Sequence, residues 1–441
     1  MANSELKTLC KNFVNTSIII LEKKIKQGLV VPSWRPLVRT FDSKGGVTAT
    51  GNGPLIYEFS EILDTLRDEI YSSKEINELI DFILKDGITS TSLMPVPVND
   101  EKQLESIKFM IRYNYLRSFL AEYLNREGGI KFDEAVFNNL YEEFEISFTS
   151  TKIKYISIAP LKNFECEIQD LDLGNNLKIR QITEKEFIML QRLAFNRVNS
   201  FSISSLSMHD IVNIKYVIVI EHEANVNTYG GEGKSIEMLT SALRINKAGL
   251  FHYDIVLVKP KFWRPIGGIV ILGRPETKML FGNTYTLNVQ EVNAFKEFWS
   301  SFKIFNFSAY KFLDIAIKRL NDTYDRSKAE DKIIDSFVAL EAMFLTGSEK
   351  SELSYRLSVR IETFLGNSSE DKNHIFSDIR KAYKTRSEIV HGDSAVNQND
   401  IAEISPKIEE YTRRSLKRFL ELLSSKSYGS IIDNIDSNIF T

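Results

Sequence analysis

Residues 375–392 read IFSDIRKAYKTRSEIVHG. On a helix turning about 100° per residue, Ile375, Ile379, Ala382, Tyr383 and Val390 form one apolar stripe, with Arg386 in its middle. A guanidinium among apolar side chains is costly unless it is paired or lines a polar groove. A candidate partner lies upstream in KIIDSFVALEAMF, residues 332–344, where Glu341 sits on the stripe of Ile334, Phe337, Leu340 and Phe344. Two opposite charges on two apolar stripes are expected to meet where the helices pack. If the pair is fully buried, removing one partner costs about 3–5 kcal/mol, because the other charge is left unpaired. The opposite face of the first helix carries Arg380, Lys384, Ser387 and His391 at i, i+4, i+7 and i+11, one line along the axis. A cationic row ending in histidine suits a phosphate backbone; the plainer reading is a solvated charged face.

Outward from this stretch the same period persists. VNAFKEFWSSF, AYKFLDIAIKRLNDTYD, KAEDKIIDSFVALEAMFL, LSYRLSVRIETFL and PKIEEYTRRSLKRFLELL are consecutive amphipathic helices with short linkers, which predicts a helical bundle over 291–427. Ser368-Ser369 before Glu370-Asp371 mark one helix start, and Gly392 marks that helix's end. Residues 428–441 form a tail with weak signals. From 149 to 290 the pattern is different. KIKYISIA, LKIRQI, KYVIVIEHE, HYDIVLVK, GGIVILG and NTYTLNV are short, rich in Ile, Val and Tyr, and bounded by turn residues. Helical insertions TEKEFIMLQRLAF and KSIEMLTSALRI interrupt them, so this is a β-rich α+β module. Residues 1–148 read as helices, broken by the Gly-rich SKGGVTATGNGP at 43–54, expected to be an exposed loop. The whole is an α+β multidomain chain: helical N-terminal region, β-rich middle module, C-terminal all-α bundle.

Composition narrows the function. The 441 residues carry 56 Lys+Arg and 59 Asp+Glu, a net charge of −3, which excludes binding nucleic acid by bulk charge and leaves room for a local basic patch. Two cysteines, Cys10 and Cys166, are too few for a disulfide framework or a four-cysteine zinc site, and fit a reducing cytoplasm. The opening MANSELKTLCKNFVN has charges where a signal peptide needs an apolar core, and no apolar run reaches the length of a membrane span. Neither a metal nor another cofactor is expected.

Three other motifs compete and fall short. TYGGEGKS at 228–235 has Thr228 where a Walker loop needs glycine. His209-Asp210 and His222-Glu223 lack further ligands, with only five histidines in the chain. Glu330, Asp331 and Asp335 begin a helix, where acids suit the dipole without any metal.

The R-x4-H motif from Arg386 to His391, in the context of ALEAMF and Tyr383-x-x-Arg386-Ser387, resembles the Apea-like branch of the HEPN superfamily. The likeness includes DKIIDSFVALEAMF, LSYRLSVRIETFLG and IRKAYKTRSEIVHG in family order, preceded by IAIKRLNDTYDRSKAED, and covers about residues 308–425. It implies a dimeric helical bundle and often a metal-independent endoribonuclease, with Arg386 and His391 as the catalytic pair. Ser387 stands where many active members place Asn or Asp, as is usual for this branch, and some relatives only bind or scaffold. The likeness also places such domains in bacterial antiphage defence proteins.

The residue types fit that chemistry. Cleavage by the RNA's own 2′-hydroxyl needs a proton exchanger near neutrality and a donor to the phosphorane oxygens. Histidine and arginine supply these. One histidine cannot act as base and acid at the same instant, so a two-fold homodimer or larger symmetric oligomer would bring two sets to one cleft. The expectation is therefore a cytoplasmic endoribonuclease acting on RNA, held in check by residues 1–290 until a phage-derived or other trigger arrives. Ser387, Glu341 and Tyr383 support the pair, and Arg380 and Lys384 contact RNA. The competing readings are a non-catalytic module for RNA binding or assembly, and a nucleotide switch at TYGGEGKS.

Overall fold

The computed structural model describes residues 4–42, 46–85, 101–195, 207–225, 233–265, 269–273, 282–345, 352–391 and 397–439. The layout is mixed, with helices first, a sheet in the middle and helices last, as the periodicity predicts. The chain gathers into two compact units. One comprises Met1–Pro160, Asn176–Glu232 and Tyr253–Pro275; the other comprises Leu161–Asn175, Gly233–His252 and Glu276–Thr441.

In the first unit the N-terminal helices, among them Ser4–Lys26, Lys74–Lys85, Arg117–Glu127 and Glu134–Thr149, close on an aromatic core of Phe13, Phe119, Phe137, Tyr141 and Phe144. Asp133 starts the last of them, its carboxylate accepting from the Ala135 and Val136 N–H groups at 2.8 and 2.9 Å. Part of the Gly-rich stretch is not loop: Val47–Thr50 pairs antiparallel with Val38–Phe41. Its Val-Thr-Ala-Thr core is β-branched and alternates between half-buried and exposed, so it suits an edge hairpin despite its glycine neighbours.

Five strands of this unit pair in the order Val270–Gly273, Ile255–Pro260, Lys152–Leu161, Tyr216–Asn225, Leu177–Gln181. Leu257 stands opposite both Ile158 and Ile271, and Val219 opposite Lys178. Alternation sends Ile156, Ile158, Val217, Val219, Ile255 and Leu257 to one face. There they pack on Phe187 and Leu190 of helix Glu184–Phe195 and on Ile211 of helix Met208–Asn213. Each such buried side chain contributes about 1.5–3 kcal/mol, which makes this face the anchor of the sheet. The other face holds Tyr155, Ser157 and His222.

Among the described residues the second unit is mostly helical, with the short strand Asp170–Asp172 and the parallel pair Phe164–Cys166 and Tyr285–Leu287. Its helices are Gly233–Asn246, Val289–Phe302, Lys311–Asp325, Ala329–Phe344, Leu353–Leu365, Ser369–His391, Gln398–Leu423 and Tyr428–Ser437. Arg413 donates to the carbonyls of Ile245 and Asn246 at 2.9 and 3.1 Å, tying the first of these helices to the long penultimate one. That long helix begins at Gln398 and carries Pro406 inside it, so the expected start at Pro406 is too late. Proline has no N–H, which leaves the Ala402 carbonyl without its helical partner. The tail without sequence signals forms a helix because Arg360, 5% exposed, grips Asp436 through Nε and Nη2 at 2.7 and 2.8 Å.

Candidate functional site

The helix Ser369–His391 starts where its cap dictates. The Asp371 N–H donates to Ser368 Oγ at 3.2 Å, and the Asn367 N–H donates back to the Asp371 carboxylate at 3.1 Å. Ile375, Ile379, Ala382 and Thr385 form its buried side. Val390 does not join them: it is 55% exposed, and Thr385 takes the core position instead. Arg386 and Tyr383 therefore lie on the border of the stripe and are half-buried. Polar contacts hold the helix against Gln398–Leu423. Asp378 accepts from Lys407 Nζ at 3.0 Å and from the Tyr411 hydroxyl at 2.9 Å, and Lys381 reaches Asp400 at 2.7 Å.

Arg386 and Glu341 do meet. Arg386 Nη2 stands 3.8 Å from Glu341 Oε2, with the two side chains 26% and 27% exposed. That distance makes an ion pair and not a hydrogen bond. Arg386 Nε is enclosed without an acceptor, and no Arg386 donor makes a hydrogen bond among the described residues. The guanidinium lies 5.9 Å from the Tyr383 ring centroid, and that ring meets Phe337 edge-on at 5.6 Å. Burial pushes the Glu341 carboxyl above its ordinary range, and the Arg386 charge offsets part of that rise. The pair is thus loose: the carboxylate orients the fork without occupying its donors.

The second row is where the spacing puts it. Arg380, Lys384 and His391 are exposed and Ser387 is half-buried. Lys384 has only a 3.6 Å contact with Glu388, and Arg380 lies over Phe376 at 5.8 Å. His391 is the last helical residue, and it has no hydrogen-bond or ion-pair partner among the described residues. Five residues separate it from Arg386, which on a regular helix is about 140° of rotation and about 7.5 Å of rise. Within one chain the two side chains therefore point away from each other.

The competing motifs acquire structural explanations. Asp210 completes a capping box with Ser207. His222-Glu223 lies on a strand, so it is no zinc-protease helix. Asp335 pairs with Arg319 and Arg326 at 2.7 and 2.8 Å. Residues 228–232 of TYGGEGKS lie outside the described residues; Gly233, Lys234 and Ser235 begin a helix. Among the described residues no cluster of His, Cys, Asp and Glu is placed to hold a metal, and no helix is long and apolar enough to cross a membrane.

Sequence reasoning missed a cleft of about 380 Å³ lined by Tyr324, Ser327, Lys332, Ser405, Pro406 and Glu409 among others. Lys332 and Glu409 face each other in it at 3.4 Å. It lies at the N-terminal end of the Glu341 helix, about 18 Å along the axis from Glu341 itself. Comparison with protein-family models, with curated proteins and with solved structures returns no match.

Proposed function

We propose that the C-terminal helices form a HEPN-type, metal-independent endoribonuclease. The observation that carries this reading is Arg386: a half-buried guanidinium, oriented by Glu341 and Tyr383, with its hydrogen-bond donors uncommitted. An arginine in that state is ready for an oxyanion, and its planar fork suits two non-bridging phosphate oxygens. His391 exchanges the protons of the 2′-hydroxyl and the 5′-leaving oxygen. Arg380 and Lys384, exposed along the row that ends at His391, hold the flanking phosphates.

The rotation between Arg386 and His391 shapes the mechanism. The rotation sets the two side chains apart on one helix, which favours a catalytic set that combines the Arg386 of one subunit with the His391 of its two-fold mate, or two sets sharing one cleft. The same rotation supports a second reading, a non-catalytic module that binds RNA or mediates assembly, in which the two residues never meet. The remaining parts of the proposal are a cytoplasmic role in antiphage defence, restraint by residues 1–290, and release by a phage-derived or other trigger. Whole-cell RNA separates the two readings. Expression of wild type degrades RNA and His391→Ala does not if the chain is a nuclease; equal, intact RNA in both favours the non-catalytic module.

A further inference from the structure

A second group of polar side chains lies in the first unit, on the sheet face opposite the helices Glu184–Phe195 and Met208–Asn213. Trp263 is anchored in the N-terminal core, its ring centroid 6.0 Å from that of Phe119 and 6.4 Å from that of Phe144, and its backbone N–H donates to the Glu143 carboxylate at 2.8 Å. That anchor delivers the next residue, Arg264, to the sheet, where Nη1 donates to the Tyr155 hydroxyl at 3.3 Å. His222 from the neighbouring strand stacks on the Tyr155 ring, 5.7 Å between centroids and 19° from parallel. Ser157, two residues along the strand from Tyr155, faces the same way and is fully buried.

Three of these side chains are short of acceptors among the described residues. Arg264 Nε, Ser157 Oγ and both ring nitrogens of His222 are enclosed without a hydrogen-bond partner among the described residues. Arg264 makes no ion pair with a carboxylate among the described residues. The other Trp-Arg-Pro of the chain shows the contrast, since Arg35 donates to the Gly53 carbonyl at 3.0 Å. Buried polar atoms without partners cost stability, and native proteins leave few of them. Here three such residues lie on one face of the sheet beside Tyr155, and they offer hydrogens: a guanidinium, an imidazole and a hydroxyl. A cation is repelled by Arg264, and a neutral acceptor leaves its charge unbalanced.

We propose that Tyr155, Ser157, His222 and Arg264 form a binding site for a small oxyanion, a phosphate or a carboxylate group. The site is independent of the ribonuclease reading and gives the first unit a ligand of its own.

The test titrates inorganic phosphate and, separately, acetate into the full-length protein at constant ionic strength set with chloride. Melting temperature and heat of binding are recorded. Wild type shows saturable binding and a rise in melting temperature that grows with ligand concentration. Response to phosphate alone assigns a phosphate group, to acetate alone a carboxylate, and to both a general oxyanion site. Arg264→Gln weakens binding about tenfold or more, the scale of one lost charge-assisted contact. Ser157→Ala removes one hydroxyl and keeps the fold, so it guards against a variant that fails to fold: it weakens binding while melting no lower than wild type without ligand. No saturable response to either anion in wild type overturns the proposal, as does an undiminished response in both variants.

Discussion

Glu341→Gln is the perturbation in which sequence and structure give different numbers. Two apolar stripes suggest a fully buried pair, and losing one partner of such a pair costs about 3–5 kcal/mol. The structure puts both side chains about a quarter exposed with 3.8 Å between charges. The gross attraction at that range is about 4 kcal/mol at an effective dielectric of 20 and about 1 kcal/mol in water, and exposed pairs net about 0–1 kcal/mol. The carboxyl's direction of shift decides the sign. Its folded pKa is raised, burial outweighing Arg386, so the folded state holds the proton more tightly than the unfolded one. The corresponding stability is fully present below the ordinary glutamate pKa of about 4.3 and is lost as pH rises through the raised folded value. Glutamine imitates the protonated form and keeps that stability at every pH. Urea denaturation of both proteins at pH 5 and pH 8 should therefore show Glu341→Gln at least as stable as wild type, with the larger advantage at pH 8 and a size of about 1 kcal/mol or less. RNA cleavage should fall, because the guanidinium loses its orienting charge. A loss of 3 kcal/mol or more at pH 8, on the scale of a fully buried pair, would refute the reasoning.

The remaining predictions are shorter. The full-length chain should sediment as a dimer or larger symmetric species, and a fully active monomer would exclude a site shared between subunits. The fragment 291–441 should melt without cooperativity, because it lacks the helix whose Ile245 and Asn246 carbonyls Arg413 holds; a sharp melting transition for the fragment would contradict this. Asp436→Ala leaves the buried Arg360 short of its half-exposed carboxylate partner, so urea unfolding should show a loss of about 1–3 kcal/mol, while a neutral result would mean that the pair adds nothing.

Period and caps carried much of the architecture. The helix Ser369–His391 was legible from Ile375, Ile379 and Ala382 and from Ser368, because cap and stripe are local properties of sequence. So was the approach of Glu341 to Arg386, since two charges on two apolar stripes have few other places to go. Depth was not legible. Val390 extends the stripe on a helical wheel, yet it sits in the final turn of its helix and is exposed, and Thr385 is buried instead. The Glu341 helix buries Ile333, Asp335, Phe337, Leu340 and Met343 around much of its circumference, so no single stripe described it. The amphipathic stretch is legible only from Pro406 on, while buried Ile401, Ile404 and Ile408 carry the helix through the proline. The terminal helix depends on Arg360, 76 residues away, and the convergence of Tyr155, His222 and Arg264 depends on strand order; neither leaves a local trace.

End-labelled RNA cleaved by purified, triggered protein in excess EDTA tests the Arg386–His391 chemistry most directly. Wild type should cut RNA and spare DNA, leaving 2′,3′-cyclic phosphate and 5′-hydroxyl ends. His391→Ala should lose about 10²–10⁴ in rate, the range for removing a general acid or base. Arg386→Lys should fail as well, since an ammonium keeps the charge and not the fork. Cleavage abolished by EDTA, or 3′-hydroxyl products, would contradict the chemistry. Equal inertness of wild type and His391→Ala on every RNA would leave the non-catalytic module as the function of these helices.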